Sequence, residues 1–382
     1  MSGKKILIIG GGFGGVAAAI AAREKLDLSH QITLIDRNKR TYICGSFPSL
    51  IVGEREPDKV SRSLGSLTNR GIQHITTEAY EISATDQTVK TSDGIYEYDY
   101  LIISTGVDYD WEAVPGSSNV HSFYDLVSAQ NLRRKLKSFR DGKIVIAVSS
   151  LPYKCPPAPF ETAMMMDWYF RKKAIRNNID ISVFTPEPMP IGIAGKESSS
   201  LLSNDLSKKD IELKTGISIT EISKNGHEAS FSDGNSLKAD LIITIPTHVP
   251  SQIVKNANLI SKSGWIDVSP QTLELEKPGI YAIGDINNVT MANGFGLPKA
   301  GVFASAEGKT VGSNIAAQIL DEKVMNFNGI GHCFIAYDVS KSAIVSGNFL
   351  ATGKPDVKFQ TATAKGYREK ERFEKDWRKF KI

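Results

Sequence analysis

Short apolar runs separated by glycine and polar residues mark the N-terminal part of the chain. Residues 4–9 (KKILII) are apolar beyond two lysines, which predicts a short buried strand. Residues 17–25 are rich in alanine and predict a helix, and residues 31–36 (QITLID) predict a second strand. A strand, a helix and a strand in this order predict a βαβ unit, whose two strands run parallel.

Later segments have the same apolar character and end in turn residues. They are residues 96–106 (YEYDYLIISTG), 141–150 (DGKIVIAVSS), 181–188 (ISVFTPEP) and 277–286 (KPGIYAIGDI). Buried strands separated by helical stretches are typical of α/β domains. A length of 382 residues predicts two or three such domains.

A glycine-rich turn joins the first strand to the helix. Gly10, Gly12 and Gly15 form the pattern G-x-G-x-x-G, and Asp36 follows the last of them by 21 residues. The first glycine permits a tight turn, the second lets the backbone approach a pyrophosphate, and the third lets the helix pack on the strand. Asp36 can accept hydrogen bonds from ribose hydroxyls. The residues predicted here to bind a dinucleotide are Gly10, Gly12, Phe13, Gly14, Gly15, Asp36 and Arg37.

Composition and charge narrow the choice of partner. Hydrophobic residues make up 41% of the chain and charged residues 23%, which is ordinary for a globular protein. The formal net charge is +4, and residues 364–382 account for it, with eight basic and four acidic residues. Because this excess is small, we expect no nucleic-acid partner. Three cysteines are too few for a secreted disulfide scaffold.

The N-terminus has the basic and apolar character of a signal peptide, but its glycines argue against one. No apolar run reaches the length of a membrane span. We therefore expect a cytoplasmic protein, with peripheral contact to the inner membrane face left open.

Two short motifs indicate which dinucleotide is bound. Ser104-Thr105-Gly106 ends one predicted strand, and Gly284-Asp285 ends another. Both resemble motifs of the two-dinucleotide-binding-domain flavoproteins. The resemblance implies FAD as the cofactor, with Thr105, Gly106, Gly284 and Asp285 among its contacts and Asp285 on the ribityl chain.

The same resemblance implies an α/β fold of the glutathione-reductase type, with two Rossmann-like domains. It predicts an FAD-binding domain at 1–112 and 247–318, split by a second nucleotide-binding domain at 113–246, and a C-terminal segment at 319–382 that carries redox and interface functions. The second domain lacks the glycine turn, because its first strand is followed by SSLPYKCPPAP. Prolines there have no N–H to offer a phosphate. We therefore expect this domain to have lost its NAD(P) nucleotide.

The cysteines carry a closer resemblance. The segments YICGSFPSLIVGE, KCPPAPFETA, NGFGLPKAGVFASAEGKTVGSNIA and GHCF are similar to those of the flavoprotein subunit of flavocytochrome c sulfide dehydrogenase and, less closely, of sulfide:quinone oxidoreductase. The resemblance implies a redox-active disulfide between Cys155 and Cys333 over the flavin. It also implies a thioether between Cys44 and the flavin 8α-methyl group. For each cysteine the alternative is a small buried apolar side chain.

Two further side chains are assigned with alternatives. Glu161 lies six residues after Cys155 and is a candidate general base, or an acid that only favours a helix N-terminus. Lys299 precedes a predicted helix and is a candidate to stabilise charge at N1 of reduced flavin, or a surface lysine. None of the six histidines has metal-site spacing, so no metal is expected.

The segment at 366–382 predicts a helix with Phe373, Trp377 and Phe380 on one face. Basic residues around that face permit contact with a membrane interface. The alternative is that the aromatics pack on the body of the protein or on a second subunit, which leaves a homodimer open.

The sequence thus predicts a flavin-dependent enzyme that oxidises sulfide or a persulfide-type sulfur and passes electrons to a quinone or a c-type cytochrome. An NAD(P)H-dependent reductase of disulfides, persulfides or quinones is a second hypothesis. A non-catalytic flavoprotein that binds a partner is the third.

Overall fold

The computed structural model describes residues 3–381. Residues 1, 2 and 382, at the outer ends of the predicted FAD-binding and C-terminal segments, lie outside the described residues. The helices are α1 (Phe13–Arg23), α2 (Phe47–Ile51), α3 (Leu126–Ser138), α4 (Ala158–Lys172), α5 (Gly195–Ser207), α6 (Gln252–Asn256), α7 (Gly301–Ile319) and α8 (Ala364–Arg378).

The strands are short, and they occur in the following order along the chain. They are β1 (Lys5–Ile9), β2 (Gln31–Asp36), β3 (Arg40–Tyr42), β4 (Ser61–Ser63), β5 (Gln73–Thr76), β6 (Ala79–Ser83), β7 (Thr88–Thr91), β8 (Gly94–Glu97), β9 (Tyr100–Ile103), β10 (Val107–Asp110), β11 (Gly142–Val148), β12 (Ile179–Thr185), β13 (Ile211–Thr215), β14 (Ile219–Ile222), β15 (Glu228–Phe231), β16 (Ser236–Lys238), β17 (Leu241–Ile245), β18 (Thr247–Pro250), β19 (Ile266–Asp267), β20 (Ile280–Ala282), β21 (Asn287–Asn288), β22 (Ile330–Ala336), β23 (Ser342–Asn348) and β24 (Asp356–Thr363).

Two parallel sheets form the centre of the molecule. The first has the order β20-β9-β1-β2-β5, and the second has the order β13-β12-β11-β17. The central strands are buried on both faces, and this is why β1 and β11 are nearly continuous apolar runs. In the first sheet Ile8 pairs with Leu34 on one side and Ile102 on the other. This register brings the carboxyl ends of β1, β2 and β9 to one edge.

The chain crosses between the two sheets twice. β10 leaves the first sheet, β18 returns from the second, and the two strands pair antiparallel. β20 then joins the first sheet beside β9, so that sheet is built from segments on both sides of the second one. The predicted α/β fold with a split first domain is confirmed. The boundaries at 112, 246 and 318 stay predictions.

α1 begins earlier than predicted, at Phe13 instead of residue 17. The glycines that suggested an extended loop, Gly14 and Gly15, instead form the first turn of the helix. They are buried there, because α1 packs closely against both β1 and α7.

The C-terminal segment forms an antiparallel sheet, β22-β23-β24, that is followed by α8. The hydroxyl of Thr363 accepts a hydrogen bond from the amide of Gly366 and so caps this helix. The aromatic face of α8 packs inward: Trp377 and Phe380 are each 2% exposed, and the Trp377 ring lies 4.9 Å from that of Phe13. Burial of each ring contributes roughly 2 kcal/mol. The packing alternative for these aromatics therefore holds, and they are not free to enter a membrane.

Within the described residues, no helix combines the length and the apolar character needed to cross a membrane.

Candidate active site

The turn between β1 and α1 is shaped by two close backbone contacts. Gly10 has φ +101°, and a Cβ there would lie 2.2 Å from the carbonyl oxygen of Ser104. A Cβ on Gly15 would lie 1.9 Å from the oxygen of Gly10. Gly12 gives α1 no side-chain cap, so the first amides of the helix are open to an anion.

This turn borders a cavity of about 310 Å³. Most of the residues predicted from the sequence line it: Gly10, Gly12, Phe13, Gly14, Asp36, Cys44, Thr105, Gly106, Cys155, Glu161, Gly284, Asp285, Lys299 and Cys333. Gly15 lies behind the lining, where it packs the helix on the strand. Arg37 is not part of the lining either. Its guanidinium donates to Asp108 at 2.9 Å and is exposed, and its role as a cofactor contact stays a prediction.

The two predicted acids occupy different surroundings in the cavity. Asp36 accepts hydrogen bonds from the amides of Gly11 and Asn38, each at 2.6 Å, and its oxygens keep further lone pairs for hydroxyl donors. Asp285 has a buried Oδ1 without a partner in the described structure. Burial raises the pKa of Asp285, which the ammonium groups of Lys154 and Lys299 oppose. A buried oxygen without a partner is costly, and a hydroxyl of a bound cofactor would satisfy it. These residues therefore fit a dinucleotide.

Lys299 is buried, so the surface alternative for this lysine is wrong. Its Nζ donates to the carbonyls of Asp285 at 2.6 Å and Asn287 at 3.2 Å. It also lies 3.6 Å from the centre of the Trp265 ring. Burial lowers the pKa of Lys299 to about 8. The side chain thus fixes the turn that carries Asp285 and forms part of the cavity wall.

Cys155 lies in the turn between β11 and α4, in the position that the glycine turn occupies in the first domain. Its φ is +56°, a left-handed conformation that a residue with a side chain adopts at a cost. Its amide donates to the carbonyl of Lys299 at 2.7 Å, which ties the turn to the first domain. The hydroxyl of Tyr153 donates to Pro156 and Glu187, and that of Tyr124 to Lys154. Side chains therefore fill and hold this turn.

Cys333 lies on β22 and reaches the same cavity from the C-terminal sheet. Both cysteines are free thiols in the structure. Burial raises the pKa of Cys155 far above its usual value, and the nearby Cys333 adds to the shift. Burial likewise raises the pKa of Cys333 to about 12, with a contribution from Glu161. The ammonium of Lys370 acts in the opposite direction on both thiols.

Glu161 is in the first turn of α4 and only 2% exposed. Its carboxylate pairs with Lys370 at 3.0 Å, and Lys370 also donates to the carbonyl of Gly45 at 2.9 Å. Burial raises the pKa of Glu161, and the charge of Lys370 opposes this shift. The next turn of α8 carries Glu374, which accepts from Ser46 at 2.7 Å and Arg55 at 2.9 Å. α8 thus supplies a buried charge network to the wall of the cavity.

Cys44 begins a short 3₁₀ turn after β3 and is partly buried. The Nζ of Lys154 lies 3.9 Å from its Sγ and donates a hydrogen bond to it. Lys154 is next to Cys155 in the chain, so the same turn carries Cys155 and contacts Cys44.

Aromatic rings form another part of the wall. His332, Phe334 and Phe373 line the cavity, with the His332 and Phe334 ring centres 5.1 Å apart and the Phe334 and Phe373 centres 6.1 Å apart. Such a surface suits a flat apolar ligand.

Lys154, Lys370, Glu374 and the three rings were not identified from the sequence. A signal for α8 was present, because Lys370, Phe373, Glu374 and Trp377 recur at helical spacing on one face. That stripe is the buried side of the helix, and only the tertiary structure shows that it faces a cavity. Nothing in the local pattern distinguished Lys154 from a surface lysine.

Fold and cavity together define the class of two-dinucleotide-binding-domain flavoproteins. Residues 4–148 match the family described as pyridine nucleotide-disulphide oxidoreductase. Residues 129–246 match the central part of the flavoprotein chain of sulfide dehydrogenase (flavocytochrome c). The chain is therefore similar, over part of its length, to the flavoprotein chain of sulfide dehydrogenase, and the two family matches imply a flavin cofactor.

The chain is also similar to proteins named as sulfide:quinone oxidoreductases. The chain is 22% identical to mitochondrial sulfide:quinone oxidoreductase of Mus musculus over 75% of this chain and 66% of that protein. It is 27% identical to the sulfide-quinone reductase of Aquifex aeolicus over 66% of this chain and 61% of that one. The matches therefore span just under two thirds of these relatives.

Solved structures show the same fold. The sulfide:quinone oxidoreductase of Aquifex aeolicus superposes with a TM-score of 0.87 at 22% identity, covering 99% of this chain and 92% of that one. An NAD-dependent persulfide reductase from A. fulgidus superposes with a TM-score of 0.70 at 21% identity, covering 90% and 64%.

Proposed function

We propose that the protein is a flavin-dependent sulfide dehydrogenase in which Cys155 and Cys333 are the redox-active pair. The observation that carries the proposal is the shared cavity, because both thiols line the space that the glycine turn and Asp285 also border. Flavin bound in this cavity supplies a two-electron acceptor for a neighbouring thiolate. The names of the relatives, which refer to sulfide, support the choice of substrate.

The chemistry begins with a disulfide between Cys155 and Cys333. Hydrosulfide attacks one sulfur, a new S–S bond forms as the old one breaks, and the products are a persulfide on one cysteine and a thiolate on the other. That thiolate holds the electron pair that leaves the protein. Lys370 stabilises the thiolate, because its ammonium opposes the effect of burial on both cysteines.

Glu161 is proposed as the group that takes a proton from hydrogen sulfide. It is buried in the same wall, and its raised pKa makes it a better proton acceptor than an exposed carboxylate. Lys370 keeps it positioned at 3.0 Å.

The second domain is proposed to bind no nucleotide, so that sulfide and not NAD(P)H delivers electrons. In support, the buried ring of Tyr153 occupies the turn between β11 and α4, and Pro156 and Pro157 offer no amide donors.

A quinone is proposed as the electron acceptor. The rings of His332, Phe334 and Phe373 provide an apolar surface on the cavity wall, and the names of the relatives refer to quinone. A c-type cytochrome is the alternative acceptor, and the assay below separates the two.

Cys44 is proposed to hold the flavin through a thioether at the 8α position. Its place in the cavity lining supports this role. If the enzyme is denatured in acid, we expect yellow colour to precipitate with the protein. Colour that appears entirely in the supernatant would contradict the thioether.

Peripheral membrane contact is proposed for the outer face of α8. The exposed residues there are mainly basic: Lys365, Arg368, Arg372, Lys375 and Lys379, with Glu369 and Glu371. Each basic residue near an anionic surface contributes about 1 kcal/mol. We expect the triple variant Arg368→Glu, Lys375→Glu, Lys379→Glu to lose flotation with phosphatidylserine vesicles. The matched triple Lys224→Glu, Lys255→Glu, Lys262→Glu lies outside α8 and should float normally.

The central test mixes the holoenzyme anaerobically with sulfide or with NADH while the flavin absorbance is followed. We expect sulfide to bleach the flavin and NADH to leave it oxidised, with colour restored by decylubiquinone and not by cytochrome c. Rapid bleaching by NADH would favour the reductase hypothesis. A flavin that neither donor bleaches would favour the non-catalytic hypothesis.

A further inference from the structure

The three thiols of the cavity have different electrostatic surroundings. Cys155 and Cys333 are near Glu161, and burial raises the pKa of each. Cys44 instead accepts a hydrogen bond from the ammonium of Lys154 at 3.9 Å. A cation beside a thiol favours the thiolate, which is the nucleophilic form.

The other neighbours of Lys154 supply no competing carboxylate at contact distance. Its Nζ lies 5.1 Å from the ring centre of Tyr109 and 5.9 Å from that of Tyr124. The His248 ring meets both tyrosines edge-on, at 5.1 Å and 5.3 Å. Within residues 3–381, no carboxylate oxygen lies within 4.0 Å of Lys154 Nζ. Cys44 Sγ and the hydroxyl of Tyr109 are therefore the groups beside Lys154 that can balance its charge.

His248 confirms that the region behind Lys154 is dry. The imidazole is 6% exposed, and its Nδ1 lies 2.7 Å from the carbonyl of Pro246, which makes Nδ1 the protonated nitrogen. Its Nε2 is buried without a partner in the described structure. Burial lowers the pKa of His248 to about 3, with a further effect of Lys154, so the ring stays neutral.

Lys154 keeps its charge across the neutral range. Burial alone would lower the pKa of Lys154, but the anionic forms of Cys44, Tyr109 and Asp285 outweigh that effect and raise it. A charged ammonium in a dry setting attracts an anion strongly, because little water screens it.

We propose that Lys154 is a positioning residue whose hydrogen bond holds the Sγ of Cys44 in place, and so selects Cys44 among the three thiols as the nucleophile that bonds to the flavin. This inference rests on the thioether proposed above and explains why Cys44, and not its neighbours, forms it. The Sγ–C bond forms at the 8α carbon, and a C–H bond breaks with release of its proton to solvent. The electron pair of the C–H bond stays on the flavin and is then removed by the quinone of the proposed function.

The first test measures the reactivity of Cys44 in the absence of cofactor. The full-length chain is prepared free of flavin in a Cys155→Ser, Cys333→Ser background, which leaves Cys44 as the sole thiol. Alkylation by iodoacetamide is followed by mass spectrometry from pH 6 to 10. We expect Lys154→Met to slow alkylation about tenfold at pH 7, because the Cys44 sulfur loses the ammonium that contacts it. Lys154→Arg should restore the parent profile.

Lys143→Met is the matched control, because Lys143 is an exposed lysine of the same domain. It should alkylate like the parent. Melting temperatures show whether each variant folds. A Lys154→Met profile that coincides with the parent's in a folded protein overturns the role of Lys154.

The second test measures the bond itself in the otherwise native chain. At a fixed time after flavin is added, we expect acid-precipitated Lys154→Met to retain about one tenth of the yellow colour that the parent retains, and Lys154→Arg to retain most of it. Equal retention by Lys154→Met overturns the proposal, and so does a parent that retains none. Bleaching by sulfide is measured separately, so a failure here is distinguishable from a failure of the proposed function.

Discussion

The two Rossmann-like domains begin with the same strand, turn and helix, but the first turn consists mainly of glycine, whereas the second is filled by side chains. In the first domain, Gly10–Gly15 form a turn without side chains except Phe13, and the N-terminus of α1 is open to the cavity. In the second, the turn is filled by the ring of Tyr153 and carries Cys155 in a left-handed conformation. The comparison shows that the same strand, turn and helix can present backbone amides to the cavity in one domain and a thiol in the other. Glycines leave room for a ligand, whereas side chains in the same place supply chemistry of their own.

The largest expected effect comes from a substitution in the turn between β11 and α4 that carries Cys155, which we call the thiol turn. Cys155→Ser should slow bleaching of the flavin by sulfide by roughly a thousandfold or more, because loss of a nucleophilic residue removes the covalent route. Stopped-flow absorbance measures the rate, and the flavin spectrum before mixing shows that the cofactor is still bound. Sulfide bleaching at the wild-type rate would refute the proposed pair.

Substitutions in the glycine turn between β1 and α1 should change protein stability or flavin binding. Gly15→Ala places a methyl group 1.9 Å from a main-chain oxygen, so we expect a cost of about 1–3 kcal/mol and a lower melting temperature. Gly12→Ala is the matched variant, because a Cβ there meets no protein atom within 4 Å. It should keep the melting temperature of the cofactor-free protein and weaken only flavin binding, as measured by fluorescence titration. Equal melting temperatures for the two variants would contradict this distinction.

The thiol turn also depends on a cation from a distant helix. Lys370→Met should slow sulfide bleaching by roughly tenfold to a hundredfold, because the thiolate loses its ammonium and Glu161 loses its partner. Lys375→Met changes an exposed lysine of the same helix and serves as the control. Indistinguishable rates for the two variants would show that Lys370 only stabilises the fold.

The smallest expected effect concerns Glu187, whose carboxylate accepts a hydrogen bond from Tyr153 in the thiol turn. Burial raises the pKa of Glu187 to about 7 from 4.5, so the folded state binds more protons than the unfolded chain between those values. The free energy of unfolding should therefore fall as the pH rises through this window. Glu187→Gln keeps an oxygen for Tyr153 and cannot ionise. Its melting temperature relative to wild type should be higher by a degree or two at pH 8 than at pH 5.

A pH-independent difference in melting temperature would mean that Glu187 does not titrate in this window. Thermal scans of both proteins at the two pH values measure it directly.

The two turns also differ in how much of each could be predicted from the sequence. The glycine turn and Asp36 form a linear pattern whose spacing is set by one βαβ unit, so local reasoning identified the part of the cavity wall that this unit forms. Cys155 and Cys333 lie far apart in the chain, and only a family resemblance suggested their pairing. Lys154 carries no local signal, and the helical spacing of Lys370 indicates a buried face without showing that its partner is Glu161. Arg37 shows the opposite case, since it is next to Asp36 in sequence but its side chain contacts Asp108, and its role as a cofactor contact stays a prediction.

The pairing of Lys370 with Glu161 has a consequence for the order in which the protein matures. Synthesis proceeds from the N-terminus, so both nucleotide-type domains leave the ribosome before α8 exists. Until that helix docks, the carboxyl group of Glu161 lacks the counter-ion Lys370, and Cys155 and Cys333 lack the effect of its ammonium. Under the proposed mechanism, the sulfide reaction therefore requires that α8 has docked.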